Sequence, residues 1–115
     1  FTTMYLPCFK GPEFFELNKE QQRKLFTPFS ISDDNNRVGY RIKESLENNL
    51  CSILTSAVLP GTVQLTPSGK CIILMQDCQV SGGYPRILQL SEIAIARVSQ
   101  KITGDKIQFV LEDHL

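Results

Sequence analysis

Short hydrophobic runs punctuated by glycine and proline dominate this chain, and one of them alternates cleanly with a period of two. Thr62–Thr66 alternates cleanly, with Val63 and Leu65 on one face and Thr62, Gln64 and Thr66 on the other. That is the pattern of a half-buried strand. Thr66-Pro67-Ser68-Gly69 follows, with proline at the second turn position and glycine at the fourth, as a type I turn prefers. The turn predicts an antiparallel return along Cys71–Met75, which is apolar on both faces and so reads as a central strand.

Loose alternation predicts a strand over Thr2–Cys8, and Val38–Ile42, Cys51–Val58, Tyr84–Leu90 and Lys106–Leu111 also read as strands. Lys10-Gly11-Pro12, Leu59-Pro60-Gly61 and Gly104-Asp105 mark turns between them. Phe29–Ser32 leads into Asp33-Asp34-Asn35-Asn36, a cluster whose side chains can bond their own backbone and so favour a turn. Glu44–Asn49 is polar and reads as a loop. Two segments carry helix signals instead. Asn18 is placed to cap Lys19–Phe26, with Gln21 positioned to reach back to the cap and Pro28 ending the helix. Ser91 is placed to cap Glu92–Ser99, with Ile93, Ala96 and Val98 expected to pack inward. Many short strands, turn signals every ~8–12 residues and two short helices indicate a mainly β fold, a closed or nearly closed β-barrel.

At 115 residues the chain is expected to form one domain over 1–115. A composition that is 42% hydrophobic and 21% charged places it among soluble globular proteins. Twelve basic and twelve acidic residues cancel, which argues against a nucleic-acid footprint or a membrane-surface patch. The apolar runs are too short to cross a bilayer as a helix. The chain begins at Phe1 without an initiator methionine or signal-like segment, as a fragment of a longer protein would. Four cysteines show no C-x-x-C spacing and the one histidine is His114, so no metal site is expected. Cys71 reads as a small buried thiol and disulfides are not expected.

Candidate chemistry concentrates in two places. Gln79-Val80-Ser81-Gly82-Gly83-Tyr84-Pro85-Arg86 follows an apolar strand and the acidic Asp77. Its glycines permit φ > 0 or close approach of another group. Pro85 biases Tyr84 toward an extended conformation, and Arg86 offers a planar five-donor fork for carboxylate or phosphate. In Asn36-Arg37-Val38-Gly39-Tyr40-Arg41, a strand would put Arg37, Gly39 and Arg41 on one face. Two forks flanking a glycine could clamp an anion; the alternative is a solvated face paired with Asp33, Asp34 or Glu44. Asp77 could serve as a general base or cap a turn. Gln64 and Gln79 could orient an amide or simply face water. Tyr84 could stack on a ligand or plug a barrel end. Catalytic triads, P-loops and dinucleotide fingerprints are absent from the sequence.

The collinear order of Gly11-Pro12-Glu13, Asn36-Arg37-Val38-Gly39-Tyr40-Arg41-Ile42, Leu59-Pro60-Gly61-Thr62-Val63-Gln64, Pro67-Ser68-Gly69, Leu74-Met75-Gln76-Asp77-Cys78-Gln79, Gly82-Gly83-Tyr84-Pro85-Arg86 and Gly104-Asp105-Lys106 resembles one family. It is the biotin-dependent carboxyltransferase group known as allophanate hydrolase subunit 2. That group includes the C-type subunit of the bacterial 5-oxoprolinase, the antagonist of the Kip sporulation-kinase inhibitor and the carboxyltransferase region of urea carboxylase. Its members are longer, so the chain resembles their C-terminal half. Ser56 stands where the family usually has an acidic residue, Val38 where methionine is usual, and Cys78 where arginine or alanine is common.

The resemblance implies a cyclophilin-like β-barrel with two short helices and a related partner subunit. It further implies a small amide or carboxylate substrate and a cytoplasmic location. Asp77 and Arg86 would be catalytic; Asn36, Arg37, Tyr40, Arg41, Gln64, Gln79, Gly82, Gly83, Tyr84 and Pro85 would bind substrate. The leading reading within the family is part of an ATP-dependent 5-oxoprolinase, which opens the lactam of 5-oxoproline to glutamate. Alternatives are a non-catalytic antagonist that binds a histidine-kinase inhibitor, or carboxyl transfer to urea. No cofactor is expected on this chain itself. ATP would be used by the whole complex, or biotin in the urea carboxylase branch, and the fragment alone is expected to be inactive.

Overall fold

The computed structural model describes residues 3–101 and 103–112; Thr2, the expected start of the first strand, and His114 lie outside them. Strand β1 (Met4–Lys10) runs two residues beyond its expected end before the chain turns at Gly11. A short 3-10 turn (Phe14–Glu16) leads into α1 (Lys19–Leu25). The predicted capping box is present: the Asn18 carboxamide oxygen accepts from the Gln21 amide at 2.7 Å, and Gln21 Oε1 accepts from the Asn18 amide at 2.8 Å. Two of the helix's orphan donors are thereby satisfied.

The remaining strands are β2 (Phe29–Ser30), β3 (Gly39–Arg41), β4 (Ser56–Ala57), β5 (Thr62–Leu65), β6 (Cys71–Leu74), β7 (Ser81–Gly82), β8 (Arg86–Leu90) and β9 (Lys106–Leu111). Seven of them form one sheet in the order β2-β9-β1-β8-β5-β6-β3. Neighbours are antiparallel except the parallel pair β1–β9. The sheet curls until its two ends meet. Ile31 bridges Ile42, the Ser32 amide donates to the Arg41 carbonyl and the Lys43 amide to the Ser30 carbonyl. This curled sheet with two short helices fits the expected barrel.

Leu6, Val63, Leu65, Ile73, Ile87, Ile107 and Phe109 are among the residues that fill its interior, with the Phe29 and Phe109 rings 6.2 Å apart. Cys71 is buried as expected, and so is Cys8; burial pushes both thiols up to about 12. The Thr66–Gly69 turn forms with a 2.9 Å bond from the Gly69 amide to the Thr66 carbonyl. Gly69 there takes a φ of 90°, which a side chain would resist.

Three expectations need correction. Cys51–Val58 is not a long strand: only Ser56 and Ala57 pair, with Gly82 and Ser81. Leu54 stays 90% exposed, and only Val58 at the end of the segment is buried. Thr62, Gln64 and Thr66 do not face water but are buried like Val63 and Leu65: Thr62 bonds Gln89 and the Leu59 amide, Gln64 lies against Gly82 of β7, and Thr66 bonds Ser68 and the Lys70 amide. In α2 (Glu92–Val98), Ser91 caps the Ala94 amide as predicted. The inward face, however, is Ala94, Ile95 and Val98, while Ile93 and Ala96 are exposed. The helix thus presents a different face from the expected one to β1 and β8, with Val98 common to both.

Candidate functional site

Arg86 opens β8, the strand lying between β1 and β5. Its neighbour in space is Glu13, which sits between β1 and the 3-10 turn. The Glu13 amide donates to the Arg86 carbonyl at 3.0 Å and the Gly11 amide to the Ile87 carbonyl at 2.9 Å. Gly11 permits this approach, since a Cβ there would stand 2.3 Å from the Arg86 carbonyl oxygen. The guanidinium then grips the carboxylate with both arms: Nε to Oε1 at 2.9 Å and Nη2 to Oε2 at 2.8 Å. The Arg86 backbone amide adds a third bond to Oε1 at 2.8 Å. Nη1 donates to the Ala57 carbonyl at 3.0 Å, tying the β4 segment to the same point.

With side chains only 19% and 12% exposed, this pair is largely withdrawn from water. Hydrogen bonds from Arg86 hold the Glu13 carboxyl below its ordinary range, and Glu13 raises the guanidinium pKa in turn. Arg86 thus staples three segments together. Glu13 was not among the residues expected at the site, although Gly11-Pro12-Glu13 belongs to the motif series; a carboxylate directly after Gly-Pro was the available signal.

The second cluster divides. Asn36 folds the turn before β3, its Oδ1 accepting from the amides of Val38 and Gly39 at 2.9 and 3.1 Å. Arg37 reaches Asp77 at 3.0 Å with both side chains well exposed, whereas Arg41 faces Asp34 at 3.5 Å. Each fork therefore has its own carboxylate, and the two arginines do not form a shared clamp. Exposed pairs of this kind contribute little to stability. Tyr40 shares its hydroxyl proton between the carbonyls of Ser99 and Lys101, at 3.3 and 3.2 Å. A groove of about 310 Å³ lies here, lined by Asn36, Arg37, Tyr40, Met75, Gln76 and Ser99 among others. Arg86 is not part of it. From β8, the strand order crosses β5 and β6 before reaching β3, roughly 14 Å across the sheet. Asn36, Arg37 and Tyr40 come together; Arg41 and Arg86 stand apart.

Gln64, Gln79 and Gly82 form a third grouping. Gln64 is 2% exposed on β5, opposite Arg86 on β8, beside a bulge between Val63 and Gln64. A Cβ on Gly82 would stand 2.6 Å from Gln64 Nε2 and 3.5 Å from Gln79 Nε2. Gly82 thus leaves room for the Gln64 amide and does not adopt a positive φ. Gly83 accepts at its carbonyl from the Ile53 amide, and Pro85 is buried with its carbonyl accepting from the Leu65 amide. Tyr84 is 39% exposed beside them in sequence. Among the described residues, no group of three or more His, Cys, Asp or Glu could hold a metal ion, and no helix is long and apolar enough to cross a membrane.

Residues 2–111 match the family model of the carboxyltransferase domain, subdomains A and B. The chain belongs to this family. It is 35% identical over 103 residues to the C-type 5-oxoprolinase subunit of Escherichia coli (strain K12), a match covering 87% of this chain and 33% of that protein. The crystal structure of TTHA0988 superposes with a TM-score of 0.80 at 25% identity, over 94% of this chain and 21% of the other. The Kluyveromyces lactis urea carboxylase superposes with a TM-score of 0.84 over 96% of this chain and 11% of the other; at 20% identity it shows the shared fold. The chain therefore spans about a third of the length of the 5-oxoprolinase protein it matches, less than the half expected from its motifs.

Proposed function

We propose that this carboxyltransferase-family chain is part of the C-type subunit of an ATP-dependent 5-oxoprolinase, working beside a related partner subunit. The observation that carries this reading is the 35% identity over 103 residues to the E. coli 5-oxoprolinase protein. Opening a lactam requires groups that hold its carbonyl, tolerate developing negative charge and manage a proton. Gln64 and Gln79 supply neutral amide donors for the carbonyl. Asp77, half exposed and held by Arg37, is the proposed general base, placed where it can exchange protons with water. Arg86 acts here by positioning, since its fork is already spent on Glu13 and Ala57.

ATP belongs to the partner subunits in this scheme. Arg37, Arg41 and Arg86 each face a carboxylate, which is a poor setting for a triphosphate. The complex is proposed to act in the cytoplasm. Mixing the full-length protein with its partner subunits should give ATP hydrolysis stimulated by 5-oxoproline, measured as phosphate release. The same phosphate release with this protein omitted would sink the proposal.

A further inference from the structure

We propose that the groove where α1 meets the ends of β1 and β9 docks an acidic segment of another protein chain, with an apolar side chain of that segment seated between Phe14, Phe26 and Leu111. The groove holds about 360 Å³ and shares no residue with the three groupings described above. Lys19, Gln22, Arg23 and Phe26 line it from α1 and its C-cap, a spacing that puts them on one helix face. Lys10 closes it from the end of β1, Phe14 from the 3-10 turn and Leu111 from the end of β9. Three cations thus surround an apolar floor, and among the described residues no carboxylate lines the groove.

The charge here is available to a partner. Lys10 and Lys19 take part in no ion pair among the described residues. Arg23 pairs with Glu20, and with both side chains 72% exposed that pair can be exchanged at little cost. Lys10 Nζ lies 5.4 Å from the Phe14 ring centroid and 4.9 Å from that of Phe15, so cation–π attraction holds the ammonium beside the rings. The whole chain carries no net charge, so this local excess of cations selects for a complementary acidic surface. Phe14 is only 2% exposed and offers no open ring face on which a nucleobase could stack. An aliphatic or aromatic side chain flanked by carboxylates suits the floor and the rim together, as when acidic motifs are read by basic clusters. The proposal does not rest on the preceding functional reading.

The test adds the full-length protein to a fluorescein-labelled peptide of alternating glutamate and leucine and follows its anisotropy. Peptides alternating glutamate with serine, and lysine with leucine, serve as controls. Saturable binding of the glutamate–leucine peptide is expected, at least tenfold tighter than either control and weakening as salt rises. The double variant Lys10→Glu, Lys19→Glu, changed only at exposed positions, should weaken that binding at least tenfold with the circular dichroism of the fold unchanged. Lys19→Gln alone serves if the double variant folds poorly, and should also weaken binding. Lys24→Glu reverses an exposed charge on the same helix outside the groove and should leave the affinity within about twofold. Equal losses in Lys24→Glu and the groove variants, or no saturable binding of the peptide, overturn the proposal. So do tighter binding of a single-stranded oligonucleotide and self-association of the protein that the peptide abolishes, which would assign the groove to nucleic acid or to a second copy.

Discussion

Truncating Arg86 to alanine should destabilise the fold. The change removes the Nε, Nη1 and Nη2 bonds to Glu13 and Ala57 and leaves the Glu13 carboxylate with the backbone amide of residue 86. Stripping one partner from a fully buried ion pair costs about 3–5 kcal/mol, because the other charge stays desolvated. Residual exposure of 19% and 12% and the surviving backbone bond move the expected cost toward about 2–3 kcal/mol. For a domain of this size that corresponds to a melting temperature lower by roughly 8–12 °C. Circular-dichroism melts and urea titrations of wild type and variant measure it.

The pH dependence has a definite sign. Arg86 depresses the folded-state pKa of Glu13 below its ordinary 4.5. The stabilisation is therefore fully present above that ordinary value and is lost as pH falls through the lower folded value. Glu13→Gln should lower stability at neutral pH and flatten this acid limb of the stability curve. An Arg86→Ala protein that melts with wild type but turns over at least tenfold more slowly, about 1.4 kcal/mol in barrier, would refute the staple and put the guanidinium on the substrate.

Further outcomes follow from single contacts. Gly11→Ala places a Cβ 2.3 Å from a backbone oxygen of β8; neither strand can yield cheaply, so a loss of about 1–3 kcal/mol is expected in denaturant titration. Tyr40→Phe removes the hydroxyl that joins β3 to the carbonyls of Ser99 and Lys101 and should cost about 1 kcal/mol in the same assay. In the folded protein at pH 8, an alkylating reagent should label exposed Cys51 quickly and leave Cys8 and Cys71 unmodified, since burial raises the latter two to about 12. Mass mapping reports the sites, and rapid labelling of Cys71 would contradict its burial.

Features carried by local chemistry were legible in the sequence. The Asn18 capping box, the Ser91 cap, the Thr66–Gly69 turn and the final strand Lys106–Leu111 each depend on a few adjacent residues. What the alternation of Thr62–Thr66 could not show is that the polar face is also buried. Period two separates two faces of a strand but does not say that either is wet, and the Gly82 that lies against Gln64 comes from another strand. The same limit hid the Glu13–Arg86 pair, whose partners are separated by 73 positions. Arginines read in isolation look like anion binders, and only tertiary structure reveals that their anions are already in place.

The most direct test of the functional account uses ¹³C-labelled 5-oxoproline and the complex assembled from the full-length protein and its partner subunits. The account predicts labelled glutamate that requires both ATP and this protein. Labelled glutamate at the same rate when this protein is left out, or none from the complete complex, would contradict it.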